Sequence, residues 1–279
     1  MQAVDHKPTP EQFSHLRGLV AESLEHMLAA HKRHPQDVEN LKELASVYAR
    51  MASFTGPQAW MQALSYYEQA RQLDPMNPAL PYEQARIVLQ LVEHDRIQMQ
   101  AKDLQKSAAA KTASAQHLQQ ATSFLQEAIR LKSNYDAAHY QLGVAYERQG
   151  RLQEAIREVE KALQNNIRNG GLAFELGLLY ERVGDHTAAR HLLEQVTKAD
   201  PQNLNAHWYL SVVHEQMGNI DEALEEIDLL LQNEGMKKNA IVLQRQATLQ
   251  AARAKQFAPS VRPLPDPIIP SVTRSPVVH

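Results

Sequence analysis

Apolar and polar positions recur with a helical period through most of the chain. His139, Leu142, Gly143 and Tyr146 lie at i, i+3, i+4 and i+7, which predicts a helix with one packed face. After Gly150 a second stripe with the same period follows, made of Ala155, Val159 and Ala162. The pattern therefore predicts two antiparallel helices joined by a short turn.

The same pattern occurs three times at a period of 34 residues. Small residues stand in the middle of the first helix, where a glycine costs about 1 kcal/mol relative to alanine, so they predict close approach of a neighbouring helix. Glycines that follow the first helix suit the left-handed conformation of a helix C-terminus. The aligned columns are Leu142, Leu176 and Leu210; Gly143, Gly177 and Ser211; Tyr146, Tyr180 and His214; Gly150, Gly184 and Gly218; and Ala155, Ala189 and Ala223.

Two interrupted copies precede the three regular ones. In the first, over 38–77, the stretch SFTGPQ adds six residues that we expect to lengthen the turn. In the second, over 78–135, an insertion at about 92–118 without glycine or proline predicts a helical hairpin that turns near 106–114. Its arms would be held together by Ile97, Met99, Leu104 and Leu118. Its end is either a solvated spacer or a docking arm.

The remaining boundaries follow from the same register. We expect a disordered N-terminus at 1–9 and an opening helix at 10–35. Three regular repeats are expected at 136–169, 170–203 and 204–237. A polar capping helix at 236–256 and a Pro-rich disordered tail at 257–279 follow them. The tail is interpreted as a linker. The alternative is that its apolar residues occupy a groove of the same or a neighbouring molecule: Ile268, Ile269, Val277 and Val278.

Composition excludes several classes of function. The chain has 279 residues, is 43% hydrophobic and carries a net charge of -3, so no basic field indicates nucleic acid. It has no cysteine, hence neither disulfides nor thiolate chemistry. Phosphate-binding loops, G-x-S-x-G and H-E-x-x-H are absent, and the histidines are poorly spaced for a metal. We therefore predict no catalytic residue, no cofactor and no metal.

The repeat resembles the tetratricopeptide repeat (TPR) family, whose signature is Leu-Gly-x-x-Tyr, a turn glycine and a small Ala over 34 residues. His139, Ala173 and His207 stand where the family usually has tryptophan, and of the closing prolines of the regular copies only Pro201 is kept. The resemblance implies an all-α, right-handed TPR superhelix of about five helix-turn-helix repeats, with the hairpin insertion in the second repeat.

In that family the first helix of each repeat lines a concave face, so the resemblance also implies a site. The side chains expected there are Tyr82, Arg86, Tyr140, Val144, Arg148, Phe174, Leu178, Arg182, Trp208 and Val212. An apolar groove of this kind would bind an extended or helical peptide with apolar anchors. The alternative is that its aromatic residues only pack within their own repeats. The family's set of residues for clamping a terminal carboxylate is missing from repeats three to five.

The function predicted from the sequence is a non-catalytic scaffold for protein–protein interaction. The alternative is a structural protein that self-assembles by end-to-end stacking of repeats. Residues 54–91 are similar to TPR regions attached to bacterial O-antigen-ligase-like membrane proteins, which implies a role in a bacterial envelope assembly. We expect the chain to be soluble, cytoplasmic or envelope-associated, with neither nucleic-acid binding nor membrane insertion.

Overall fold

The computed structural model describes residues 10–166 and 168–256, and over these ranges the chain forms twelve α-helices and no strand. The predictions of disorder at 1–9 and 257–279 fall outside the described residues. The helices are α1 Pro10–Arg33, α2 Val38–Thr55, α3 Pro57–Leu73, α4 Ala79–Gln98, α5 Leu104–Leu131, α6 Asp136–Arg148, α7 Leu152–Asn165, α8 Gly170–Arg182, α9 His186–Ala199, α10 Leu204–Gln216, α11 Ile220–Gln232 and α12 Ala240–Gln256.

The helices pack in pairs, and the predicted all-α fold is confirmed. The chain divides into two compact units, Met1–Tyr209 and Leu210–His279, with the boundary inside α10. In the first unit α2 packs on α3, α4 on α5, α6 on α7 and α8 on α9. Successive pairs are joined by contacts of α3 with α4, α5 with α6 and α7 with α8. One hydrophobic cluster runs from α4 to α8 and makes the second, third and fourth repeats continuous.

The regular repeats end their first helices at glycine, as the sequence predicts. Gly150 and Gly184 have φ angles of 76° and 82°, in the left-handed region that a residue with a Cβ rarely adopts. The N–H of Arg151 donates to the carbonyl of Tyr146 across 2.9 Å, which closes the end of α6 with a Schellman-type bond. This hydrogen bond satisfies a carbonyl that the helix itself leaves unpaired.

The mid-helix glycine of α6 allows the close approach of α7 that its position indicates. A Cβ on Gly143 would lie 2.5 Å from Cγ2 of Val159 and 3.2 Å from the carbonyl oxygen of Ala155. In α8 a Cβ on Gly177 would meet Cγ of Leu193 at 3.2 Å, which is tight but less severe. Hydrogen is thus the only substituent that fits at position 143 without a shift of α7.

The histidine that stands in place of tryptophan in the third repeat is buried and makes two polar contacts. His139 is 4% exposed, and its Nε2 donates to the carbonyl oxygen of Ser133 across 2.9 Å. Its Nδ1 lies 2.6 Å from Oε2 of Glu158 on α7. His207 repeats the first of these contacts, with Nε2 3.2 Å from the carbonyl oxygen of Pro201. In both repeats the ring ties the first helix to the turn that precedes it.

The six added residues of the first repeat extend helices and do not form a long turn, so that expectation is wrong. α2 continues to Thr55, and α3 begins at Pro57, which occupies its first turn. Only Gly56 separates them, with φ 92° and ψ -175°. Proline is favoured at the first helical position because the N–H group that it lacks would have no intrahelical partner there.

The inserted hairpin is present, but its turn and its seam differ from the prediction. α4 ends at Gln98 and α5 begins at Leu104, because Asp103 accepts hydrogen bonds from the backbone N–H groups of Gln105 and Lys106 and so caps α5. The turn therefore lies at 99–103, and the prediction of 106–114 is wrong.

The side chains that hold the two arms together are also different from those expected. Ile97 and Leu104 are exposed, whereas Leu118 is buried as predicted, together with Ala110 and Ser114 on the same face of α5. Nδ1 of His117 on α5 lies 2.7 Å from Oδ2 of the buried Asp95 on α4. Small residues, Leu118 and one polar pair form the seam.

The second unit is built on α11 and α12, with Ala223, Ile227, Leu230, Val242 and Leu249 in its interior. α12 begins at Ala240, four residues after the expected start of the capping helix at 236. It is held by polar contacts, such as the 2.9 Å ion pair between Arg245 and Glu215 and the 2.6 Å pair between Arg253 and Asp221. Its polar character agrees with that expected of a terminal helix.

Candidate functional site

The ten side chains predicted to line the groove are all accessible. Seven are half-buried and three are exposed; the exposed ones are Arg86, Arg148 and Arg182. The half-buried ones are Tyr82, Tyr140, Val144, Phe174, Leu178, Trp208 and Val212. Partial exposure is what a binding surface on a packed repeat requires, since each side chain needs both support and a free face.

α6 and α8 are the first helices of successive repeats, and we call the predicted side chains that they carry, with their charged neighbours, the α6–α8 groove: Tyr140, Val144, Phe174 and Leu178 with Glu147, Glu175 and Arg182. Arg182 of α8 forms an ion pair with Glu147 of α6, linking helices of adjacent repeats. The pair lies near the C-terminal ends of both helices. It gives the apolar groove a polar edge.

Two carboxylates of the α6–α8 groove influence the pKa of Tyr140. Burial raises the pKa of Tyr140, and the charges of Glu175 and Glu147 raise it further. The pKa of Glu175 is raised in turn, first by partial burial and then by repulsion from Glu147. The sequence prediction missed Glu175, because only the columns next to it were assigned to the groove.

Phe174 has a double role. Its ring meets the ring of Tyr209 edge-on, with centroids 5.8 Å apart at an interplanar angle of 71°. It also packs against the buried residues Ala173, Val196 and Ala206. Tyr140 likewise packs against the main hydrophobic cluster. Packing within the repeats, the alternative considered for these aromatic residues, thus accounts for part of their surface and leaves the rest accessible.

A second concave feature lies between α2, α3 and α4, where the structure has a cleft of about 430 Å³. We call it the α2–α4 cleft. Its lining combines two guanidinium groups, one carboxylate, two aromatic rings and an apolar floor. The lining residues are Ser46, Ala49, Arg50, Trp60, Tyr67, Glu83, Arg86, Ile87 and Gln90.

Hydrogen bonds and ion pairs order the polar groups of the α2–α4 cleft. Nη1 of Arg86 lies 2.8 Å from Oε2 of Glu83, one turn away on α4. Nη2 of Arg50 donates to Oγ of Ser46 across 3.0 Å. Burial and the charge of Glu83 raise the pKa of Tyr67 to about 12, while Arg86 and Arg50 oppose that rise. The cleft therefore holds a neutral phenol beside paired charges.

Of the predicted site residues only Arg86 lines the α2–α4 cleft. Tyr82 instead packs against the ring of Tyr135, with centroids 4.9 Å apart and ring planes 40° apart. The sequence prediction missed Arg50, Trp60 and Tyr67, because it considered only first-helix columns, and the latter two lie on the second helix α3. Trp60 is one of two tryptophans in the chain, and that rarity was the available signal.

Among the described residues, the geometry does not support a metal site or a membrane-spanning helix. Within residues 10–166 and 168–256, no three His, Cys, Asp or Glu side chains come together as a metal ion requires. No described helix combines the length and apolar character needed to cross a bilayer. The paired helices, with partly exposed side chains on their first helices, define a helical-repeat protein.

Comparison with known proteins identifies the repeat. Two tetratricopeptide-repeat family models match, one at 136–169 and the other at 174–235. These residues match the tetratricopeptide repeat, in agreement with the resemblance that the sequence shows. TPR proteins are in general scaffolds for protein–protein interaction. A comparison with curated proteins gave no match.

Solved structures support the same fold. YrrB, described as a TPR protein with an unusual peptide-binding site, aligns with a TM-score of 0.59 at 16% identity, over 80% of this chain and 99% of its own. The pilF protein of Pseudomonas aeruginosa aligns with a TM-score of 0.56 at 15% identity, over 85% and 91%. A TPR protein of Parabacteroides merdae gives 0.55 at 14% identity, over 88% and 89%. These likenesses support the predicted helical TPR superhelix.

Proposed function

We propose that this protein binds a peptide or helix of a partner protein in the α6–α8 groove, without catalysis. The observation that carries the proposal is the set of half-buried apolar side chains on two successive first helices, edged by the Arg182–Glu147 ion pair. Such a surface offers apolar pockets to anchor residues and a polar edge to the partner's backbone. YrrB, which is described as having a peptide-binding site, supports this use of the fold.

The charges of the α6–α8 groove favour a particular kind of segment. Arg182 is engaged by Glu147, whereas Glu175 has no ion pair or hydrogen bond with any residue that the structure describes. An apolar segment that carries a basic side chain would pair with Glu175 and remove its repulsion from Glu147. We therefore expect apolar anchors with an adjacent lysine or arginine in the partner.

Trp208 of α10 adds an aromatic side chain to the proposed surface of the first unit, whereas Val212 belongs to the other unit and is left out of the proposal. Trp208 is half-buried in the first unit, and Val212 is half-buried in the second. Aromatic residues in partly accessible positions are frequent energetic centres of interfaces, worth on the order of 2 kcal/mol. A place in a bacterial envelope assembly belongs to the same proposal and rests on the resemblance of residues 54–91.

The test is an affinity capture from extract of the source cells with the intact chain and two variants. Leu178→Glu places a charge in the α6–α8 groove, and Leu229→Glu makes the same change at an exposed position of α11. The partner should be retained by the intact chain and by Leu229→Glu, and lost by Leu178→Glu. Circular dichroism melting must first show equal folding of all three proteins.

The captured protein would then be divided into synthetic peptides, and their affinities measured by fluorescence anisotropy. A peptide with apolar anchors that binds the intact chain and fails with Leu178→Glu supports the proposal. Equal capture by the intact chain and by Leu178→Glu contradicts it. If instead the native mass grows with concentration and Leu178→Glu has no effect, self-assembly through stacked repeats is favoured.

A further inference from the structure

The α4–α5 hairpin extends well past the length of a regular repeat. α4 has 20 residues and α5 has 28, whereas the helices from α6 to α11 have 13 or 14. At 1.5 Å per residue the excess corresponds to roughly 10 Å of α4 and roughly 20 Å of α5. We call residues 96–117, which include the turn, the hairpin end.

The hairpin end is ordered by internal contacts. Ala110 and Ser114 of α5 are buried in the seam, and the pair of His117 with Asp95 lies at the base of the extension. Oγ of Ser107 donates to the carbonyl oxygen of Met99 across 2.8 Å, which fixes the turn against the start of α5. The backbone of the hairpin end is therefore ordered, and its outward side chains have defined positions.

A large apolar side chain projects from the hairpin end. Leu104 is 85% exposed, more than any other large apolar side chain in the part of the chain that the structure describes. It stands at the first residue of α5, directly after the turn, with Lys102 and Lys106 two positions to either side. Ile97, at the end of α4, is 56% exposed. Covering such side chains with another surface would remove apolar area from water, which is favourable.

The hairpin end also differs in charge from the rest of the protein. Residues 96–117 contain four Lys or Arg and a single Asp, within a chain whose net charge is -3. Arg96 is paired with Glu93 at 2.6 Å. Asp103 accepts the N–H groups that open α5. Lys102, Lys106 and Lys111 are exposed and have no carboxylate partner among the described residues.

We propose that the hairpin end docks on an anionic lipid surface, with Leu104 entering the headgroup region between Lys102 and Lys106. A shallow apolar anchor beside several cations is the combination that binds such a surface peripherally. Lysine side chains can extend along an inserted leucine while their ammonium groups stay among lipid phosphates. The contact is a surface attachment and requires no membrane-spanning helix.

The chemistry of the hairpin end favours lipid over a protein partner. Protein hot spots are rich in Trp, Tyr and Arg held in well-packed pockets. Residues 96–117 contain six alanines and no Phe, Trp or Tyr, and their one arginine is paired within α4. A fluid headgroup layer needs no complementary pocket. This proposal stands independently of the α6–α8 groove.

The test is co-sedimentation of the full chain with vesicles of phosphatidylcholine mixed with phosphatidylserine, and with vesicles of phosphatidylcholine alone. We expect binding to the mixed vesicles only, weakened as ionic strength rises. Lys102→Glu/Lys106→Glu should lower the affinity about twenty-five-fold or more, since each lysine contributes about fivefold at an anionic surface. Leu104→Asn should lower it about tenfold by removing the apolar anchor.

Matched controls distinguish the hairpin end from the rest of the surface. Lys238→Glu/Lys255→Glu makes the same charge change at exposed lysines elsewhere, and Met76→Asn removes an apolar side chain that is 72% exposed. Both should bind mixed vesicles as the unchanged protein does. Failure of the unchanged protein to bind mixed vesicles, or an equal affinity of all variants, overturns the proposal. Retention of circular dichroism in every variant ensures that a loss of binding is not a loss of folding.

Discussion

The regions α2–α5 and α6–α9 both consist of paired helices, but the helices end in different ways in the two regions. In α6–α9 a glycine in the left-handed conformation follows each first helix, and the helices keep to 13 or 14 residues. Between residues 57 and 142 the sequence contains no glycine, and α4 and α5 reach 20 and 28 residues. The short first helices α6 and α8 are thus followed by glycine, whereas the longer α4 is not.

The two regions also differ in the small residue at the middle of their first helices. This residue is Gly143 or Gly177 in the regular repeats, and Ala45 or Ala85 in the interrupted ones. All four positions are buried. The α2–α4 cleft occurs in the region that uses alanine.

The largest effect is expected for the buried His–carboxylate pairs, one of which lies in each region. His139 and Glu158 have side chains that are 5% and 14% exposed, whereas His117 and Asp95 are 26% and 11% exposed. His139→Leu should lower the free energy of unfolding by about 3 kcal/mol because it removes two hydrogen bonds of a buried ring, one with Glu158 and one with the carbonyl oxygen of Ser133. His117→Leu should lower it by about 1 kcal/mol. Urea unfolding measures both.

Lys161→Ala is the control for this comparison, because Lys161 also contacts Glu158 but from an exposed position. It should change the stability by less than about 0.5 kcal/mol. If His139→Leu and His117→Leu cost the same, burial does not distinguish the two pairs.

The second effect concerns the close contact of α6 with α7. Gly143→Ala should cost about 2 kcal/mol, because the new Cβ would stand 2.5 Å from Cγ2 of Val159. Thermal unfolding should show partial recovery in Gly143→Ala/Val159→Ala, where the clashing methyl group is removed. Full tolerance of Gly143→Ala would show that α7 moves freely, contrary to the tight packing described here.

The third effect compares the two kinds of helix-ending glycine. Gly56, with φ 92° and ψ -175°, lies in a region almost restricted to glycine, so Gly56→Ala should cost about 2 kcal/mol. Gly150, with φ 76°, lies in the left-handed helical region, and Gly150→Ala should cost about 1 kcal/mol. Gly150→Asn should cost less, because asparagine tolerates that region. Denaturant midpoints of the three variants check this order.

The smallest effect is the pH dependence due to Tyr67. Its pKa of about 12 in the folded protein exceeds the ordinary value of 10.0, so the folded state favours the neutral phenol. The stability that this group contributes is complete below pH 10 and is lost as the pH rises towards 12. Tyr67→Phe should lose less stability over that interval than the unchanged protein. Identical alkaline unfolding curves would contradict this account.

The sequence predicted the regular repeats well because each of their features has a local cause. Glycine at position 150 stops a helix, and glycine at position 143 permits contact, wherever these residues stand in a helical pattern. The errors lie where the cause is a cap or a junction. Asp103 opens α5 through its side chain, but the sequence analysis placed it within an arm of the hairpin. Pro57 opens α3 directly after Gly56, but it was interpreted as part of a longer turn.

The candidate site was predictable to the extent that it repeats. The first-helix columns gave Tyr140, Phe174 and Leu178, which are accessible as expected. The α2–α4 cleft was not predictable from those columns, because Trp60 and Tyr67 come from a second helix and join Arg50 only through the packing of three helices. No sequence period links these three residues.

The spacing of the hairpin seam has a consequence for the reach of this arm. Ala110, Ser114 and Leu118 succeed one another at intervals of four residues, so every turn of α5 repeats the same contact with α4. Two whole turns added to or removed from both arms would preserve the contact and shift the outer end by about 10 Å. A single added residue would rotate the seam out of register. The length of the α4–α5 hairpin can therefore change by whole helical turns without altering the repeats beneath it.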